Sequence, residues 1–162
     1  MSRLLVSDTN IFIDLEEGNL LNEFFALPYE IAVPDILSYE ELATSHSHLL
    51  HCGLQVLSLT SSTMLQAEKL MLIYPKPGRN DCFALLLAKQ EACPLLSGDA
   101  ALRRAAESEK IHCMGTIWII EEMLKHDLVS YERAKRAYQL MKQNQRRLPW
   151  KEAFERLEAF TK

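Results

Sequence analysis

The 162-residue sequence predicts an α/β protein: a three-layer α/β/α arrangement on a central, mainly parallel five-stranded sheet, with an extra helical segment at the C-terminal end. Three observations lead there. Short apolar runs alternate with helical patterns five times, as a parallel sheet covered on both faces requires. The first and fourth runs are each followed closely by an aspartate, Asp8 and Asp99, which marks strand ends. From Ser130 to Lys162 the pattern is helical alone.

Taken in order, Leu4, Leu5 and Val6 are a buried-strand run that meets Asp8, a charge that cannot sit unpaired in a core. Thr9 and Asn10 start helices well, and Ile11, Phe12 and Leu15 recur at helical spacing, so the strand passes directly into a helix. Gly18-Asn19 breaks it. Leu20, Leu21, Phe24, Phe25 and Leu27 give a second apolar face that Pro28 stops. Ile31–Val33 predicts a strand ended by Pro34, and from Asp35 a helix with Ile36, Leu37, Tyr39 and Leu42 on one face carries Glu40 and Glu41 in its middle. A turn-rich connection runs from Ser45 to Gly53.

Leu54–Leu59 alternates as a third strand, and Thr60–Ser62 can cap a helix whose Met64, Leu65, Ala67, Leu70 and Met71 are expected to face inward. Pro75 and Pro77 end it near Tyr74. The helix from Asn80 is apolar on nearly every side and is expected in the middle of the molecule. Pro94–Ser97 is a short strand leading to Gly98-Asp99, followed by a helix from Ala100 to about Glu107. Ile111–Met114 is the last strand, and Gly115-Thr116 opens a helix through Ile117, Ile120 and Leu124. The tail breaks near Leu148-Pro149, where proline suits a first helical turn.

Composition narrows the function. A net charge of −4 and a pI near 5.7 give no global field toward nucleic acid, so any such binding needs local patches. Between Tyr131 and Lys151, Arg133, Lys135, Arg136, Lys142, Arg146, Arg147 and Lys151 face the single acid Glu132, which suits either a phosphate-contacting stripe or a solvated helix face. The four cysteines are scattered singly, as reduced thiols are. His46, His48, His51 and Cys52 match no standard ligand spacing and read as a solvated loop. No apolar run approaches the roughly 18 residues of a membrane span, and Asp8 interrupts the first strand too early for a signal peptide. A cytoplasmic protein without membrane association is expected.

The acids carry the chemistry. Asp8 and Asp99 follow strands, Asp81 opens the central helix where a carboxylate suits the dipole, and one of Glu40 and Glu41 can join them. Each of these residues also reads as a cap or surface charge. If the four converge, each pair about 4 Å apart costs on the order of 4 kcal/mol at an effective dielectric near 20. No lysine or arginine neighbours Asp8 in sequence, so a distant basic residue or a divalent cation must answer that repulsion. Hard oxygen donors favour magnesium or manganese, and such a site suits phosphodiester hydrolysis.

Ser7-Asp8-Thr9-Asn10-Ile11-Phe12-Ile13-Asp14, Leu37-Ser38-Tyr39-Glu40-Glu41-Leu42, Asn80-Asp81-Cys82-Phe83-Ala84-Leu85 and Leu95-Leu96-Ser97-Gly98-Asp99-Ala100-Ala101-Leu102 resemble, in order and spacing, the four motifs of PIN-domain nucleases. The resemblance runs to about Leu124. It implies a metal-dependent endoribonuclease using Mg2+ or Mn2+, acting on RNA, with VapC-type toxins of bacterial toxin–antitoxin pairs as the commonest small members. Carried over, Asp8, Glu41 (Glu40 as the alternative), Asp81 and Asp99 are the catalytic, metal-binding acids. Glu41 is preferred because Ser38-Tyr39-Glu40-Glu41-Leu42 fits the family's order of hydroxyl, two spacers, Glu and Leu. Asn10, Ser97 and Thr116 are the expected supporting residues, and Arg79, with Lys76, the expected contact for a substrate phosphate. Residues 1–128 are expected to form the nuclease domain and 129–162 a helical extension packed on it. A cognate antitoxin and a homodimer are the protein partners the resemblance brings.

Two other functions fit parts of the sequence. A PIN-like module that binds RNA or protein without cleaving would have its acids spread apart or tied up by arginine. An aspartyl phosphatase would want a second aspartate two positions after Asp8, where Asn10 stands.

Overall fold

Along the first strand, β1 (Arg3–Ser7), successive side chains enter different cores: Leu5 joins Ile31, Val33, Leu96 and Met114 on one face of the sheet, and Val6 joins Leu95 on the other. That alternation makes the molecule three-layered. The computed structural model describes residues 3–42 and 46–161. In them β1, β2 (Tyr29–Pro34), β3 (Gln55–Leu57), β4 (Leu95–Leu96) and β5 (Cys113–Met114) pair in parallel, in the order β3-β2-β1-β4-β5.

The first face is covered by α1 (Thr9–Glu17), α2 (Leu21–Ala26), α7 (Thr116–Lys125), α8 (Tyr131–Gln143) and α9 (Trp150–Leu157). The second is covered by α4 (Ser61–Ile73), α5 (Arg79–Gln90) and α6 (Ala100–Ser108). Helix α5 buries an unbroken run from Cys82 to Ala88, as its all-round apolarity predicts. The C-terminal helices close on the first core: Tyr138 packs edge-on to Trp150 and Phe154, and Arg133 reaches across to Glu23 and the Asn19 carbonyl. Helices α1 and α8 touch at Gly18, which sits at φ −86° and is needed for space rather than for conformation. A Cβ there would lie 2.7 Å from the Met141 Cε and 3.2 Å from the Ala137 Cβ.

Several elements differ from expectation. The helix begun at Asp35 keeps its α form only through Leu37, as α3 (Asp35–Leu37), and widens into a π turn over Ser38–Leu42 that leaves Glu40 and Glu41 exposed. In α4 only the seam Thr63, Ala67 and Leu70, spaced to meet α5, is buried; Met64 and Leu65 turn to solvent at 42% and 75% exposure. The third strand is limited to Gln55–Leu57 because its ladder with β2 spans only Ala32–Pro34. Within the histidine-bearing connection Ser47–Cys52 forms a 3-10 helix closed by Gly53 at φ +111°, and His48 lies 3.3 Å from Glu16. Ser45, where that connection starts, lies outside the described residues.

Candidate functional site

The strand order reverses at β1. From it the chain steps outward through β2 and β3, then returns to β1's other edge for β4 and β5. Such a switch point opens a crevice beyond the carboxyl ends of the strands, here β1 and β4. Asp8 follows β1, and Ser97 and Asp99 follow β4.

Asp8 is 1% exposed and is the N-cap of α1. Its Oδ1 accepts from the Ile11 amide at 3.1 Å, and its Oδ2 accepts from the Ser97 hydroxyl at 2.5 Å. Burial pushes its carboxyl up to about 7, against the lowering by Ser97 and the Ile11 amide and with the added repulsion of Asp81 and Asp14. Ser97 Oγ also accepts from the Asp99 backbone amide at 3.1 Å, so one hydroxyl ties the ends of β1 and β4 together.

Asp99 caps α6 with Oδ2 on the Leu102 amide at 3.1 Å. Asp81, at the third position of α5, accepts from the Gly78 amide at 3.2 Å through Oδ2. Its carboxyl is raised by burial and then by the negative charges of Asp99 and Glu41. Glu41 is held by the Thr9 hydroxyl at 2.7 Å on Oε2. Asp81, Asp99 and Glu41 each use one carboxylate oxygen on the protein and, among the described residues, leave the other without a hydrogen-bond donor.

Glu40 behaves differently. It is engaged by Arg79 at 2.9 Å, and that guanidinium, followed by Asn80, holds its carboxyl below the usual range. Arg79 also lies over the Phe83 ring, 5.1 Å from its centroid. Lys76 lines a separate cleft with Tyr74 and Arg104.

Asn10 and Thr116 bond to a second buried aspartate's surroundings rather than to the four acids. Asp14, 6% exposed on α1, accepts from Thr116 Oγ1 at 2.8 Å and from Arg146 Nε at 2.6 Å. Arg146 Nη2 also donates to Asn10 Oδ1 at 3.2 Å. Neither Asp14 nor Arg146 is singled out by the sequence motifs. The available signal was that Asp14 shares a helix face with Ile11 and Leu15, so it had to be buried and to find a partner.

Two clefts flank this pair. One, of about 450 Å³, is lined by Asn10, Asp14, Gly98, Asp99, Gln145, Arg146 and Arg147 among others, and the second, of about 360 Å³, shares Asp14, Gly98 and Arg147 with it.

The donor chemistry fits a hard divalent cation. The acids are oxygen donors that repel one another, and among the described residues none of Asp8, Glu41, Asp81 and Asp99 makes an ion pair with a basic side chain. Their side chains are turned to their caps, and among the described residues no three His, Cys, Asp or Glu groups are gathered closely enough to ligate an ion. Among the described residues, no helix is long and apolar enough to cross a membrane.

Compared with known families, residues 4–162 match the family model described as a PIN domain, a match that takes in α8 and α9. No curated protein matches the chain.

Proposed function

The chain belongs to the PIN-domain family, and from that premise we propose that it is a metal-dependent endoribonuclease that hydrolyses RNA phosphodiester bonds. The observation that carries the proposal is the contrast in counter-charges. Arginine answers Asp14 and Glu40, whereas Asp8, Glu41, Asp81 and Asp99 have no such partner among the described residues, and Asp81 feels the negative charges of Asp8, Asp99 and Glu41.

In this reading Asp8, Asp81, Asp99 and Glu41 hold Mg2+ or Mn2+, and Glu40 stays with Arg79. A bound divalent cation supplies charge stabilisation for the phosphoryl oxygens and an acidified water. The chain's own contribution is positioning. Ser97 fixes Asp8 and, through the Asp99 amide, the start of α6. Thr9 orients Glu41. The α5 N-terminus, with its positive dipole end, sets Asp81 toward the other acids. Arg79 is the proposed contact for a substrate phosphate, and residues 129–162 are a helical extension of a nuclease domain formed by residues 1–128. The cellular role that extends this reading is the toxin of a toxin–antitoxin pair.

The test is cleavage of a panel of end-labelled RNAs by purified protein with millimolar manganese. Divalent-dependent fragments that vanish with Asp8→Asn are expected; intact RNA, or equal cleavage by the variant, overturns the proposal.

A second reading, a non-cleaving RNA- or protein-binding module, draws on the acids' side chains being turned to their caps. It predicts that magnesium and manganese leave the melting midpoint unmoved, whereas an ion bound only by the folded chain raises it.

A further inference from the structure

Between α8 and α9 the chain reverses at Gln145, which adopts a left-handed φ of +62°, and the next two residues, both arginines, go to different uses. Arg146 turns inward to Asp14 and Asn10. Arg147 stays exposed, makes no ion pair among the described residues, and lines both clefts.

The two clefts form one path. It starts at Asp99 and Asn10, passes the shared Asp14, Gly98 and Arg147, and ends at Arg103, His112 and Trp118. Arg103 is held at the far end by a long contact from Nη2 to the Ser97 carbonyl, 3.5 Å, and lies over Gly115, where a Cβ would meet the same nitrogen at 3.0 Å. It too has no acidic partner among the described residues. Of the acids that line the path, Asp14 is paired with Arg146, while Asp99 and Glu152 make no ion pair among the described residues; Arg156 grips Glu121 through two hydrogen bonds. Two guanidiniums with no acidic partner among the described residues, Arg103 and Arg147, thus line a concave path whose walls include the partly buried Trp118 and Leu148.

Guanidiniums suit phosphate oxygens, and an aromatic beside them suits an unpaired base. A duplex keeps its base faces inside the stack and offers such a wall nothing. We propose that this path, roofed by the α8–α9 connection, binds a single-stranded nucleic-acid segment flanking the bond to be cut, with Arg147 and Arg103 each on a backbone phosphate and Trp118 beside a base. The assignment rests on the nuclease reading of the adjoining acids, and it explains how a chain with net charge −4 holds a polyanion: through a local path to which α6, the start of α7 and the α8–α9 connection all contribute.

The test is binding without cleavage. A fluorescein-labelled 12-nucleotide oligouridine is titrated in EDTA and followed by anisotropy at several salt concentrations. Arg147→Ala and Arg103→Ala are each expected to weaken binding about fivefold, and each to reduce the salt slope by about 0.7, the loss of one phosphate contact to a single strand. Arg104→Ala, an exposed arginine outside the path, serves as the control and is expected to bind like wild type. If the double variant binds as Arg104→Ala does, or if a duplex of equal length binds as tightly as the single strand, the path is not the binding site proposed. If the arginine variants lose binding as expected but wild type with manganese cuts nothing, the path stands and the nuclease reading falls.

Discussion

Asp8 and Asp14 are six positions apart and both nearly out of solvent, yet the fold treats their charges in opposite ways. Asp14 receives a guanidinium and a hydroxyl, the full complement that a buried carboxylate needs. Asp8 receives a hydroxyl and one amide, no cation among the described residues, and the nearby charge of Asp81, and its carboxyl is pushed up to about 7. The arginine that neutralises Asp14 comes from the connection that follows α8, the helix that packs on α1, so the chain could have placed a base near Asp8 as well. A buried acid left without one, with the charge of Asp81 nearby, is the kind of costly arrangement that the proposed site requires.

The sharpest way to break this comparison is to remove the charge at Asp8. Asp8→Asn keeps the shape and can still pair with Ser97 and the Ile11 amide. It is expected to reduce manganese-dependent RNA cleavage by about a thousandfold or more, the scale of several kcal/mol of transition-state charge stabilisation. Glu41→Gln should follow it closely while Glu40→Gln, whose partner is Arg79, should change the rate only a few-fold. Single-turnover rates on one labelled RNA separate the three, and equal losses at Glu40 and Glu41 would erase the distinction.

The same contrast has a pH signature. Asp8 has a folded value of about 7 against an ordinary 3.8, so between those pH values the folded chain holds a proton that the unfolded chain has released. Stability should therefore be highest at low pH as far as this group is concerned, fall as pH rises from about 4 to 7, and level off above. A shift of that size corresponds to roughly 4 kcal/mol. Urea unfolding in EDTA at pH 5 and pH 8 captures the part that falls between 5 and 7, roughly 2.7 kcal/mol. Asp8→Asn should flatten the difference, and added manganese should restore most stability at pH 8.

Asp14 is probed through its partner. Arg146→Met leaves a buried carboxylate with Thr116 alone and is expected to cost about 3 kcal/mol, the lower end for breaking a buried pair because Arg146 keeps some exposure. Adding Asp14→Asn should recover at least about 1 kcal/mol of that loss, since the stranded charge goes with it. A double variant no more stable than Arg146→Met alone would show that the arginine acts through packing.

How much of this was visible in the chain divides along the same line. Leu4–Val6 and Leu95-Leu96 announced strands by apolarity, and Asp8 and Asp99 stood out because a charge directly after such a run has nowhere to be buried. Thus a parallel five-stranded sheet, and Asp8 and Asp99 after two of its strands, were accessible from local pattern, while the strand order was not. The Asp14–Arg146 pair was not, because its members are 132 positions apart: the helix face that Asp14 shares with Ile11 and Leu15 calls for a partner but does not say which residue supplies it. Met64 and Leu65 failed for a related reason: α4 is apolar on several sides, and only the position of α5 selects which residues form the seam. The two arginines at 146 and 147 were indistinguishable in a basic stretch until the left-handed Gln145 sent one inward.

The smallest effect tests how Arg146 is delivered. Helix α8 lies on α1 where Gly18 leaves room for Met141 and Ala137, and a Cβ there meets the flexible Met141 terminus first and the Ala137 methyl second. Because the methionine can swing away, Gly18→Ala is expected to cost only about 1 kcal/mol, at the low end for overpacking. If that seam sets the position of the following arginine, Gly18→Ala and Arg146→Met should not add. The double variant should be less destabilised than the sum by about 0.5 kcal/mol or more in a double-mutant cycle. Strict additivity would mean that Arg146 finds Asp14 through its own connection, independent of how closely α8 lies on α1. The difference between the two aspartates would then be fixed by the Asn144–Pro149 connection rather than by helix packing.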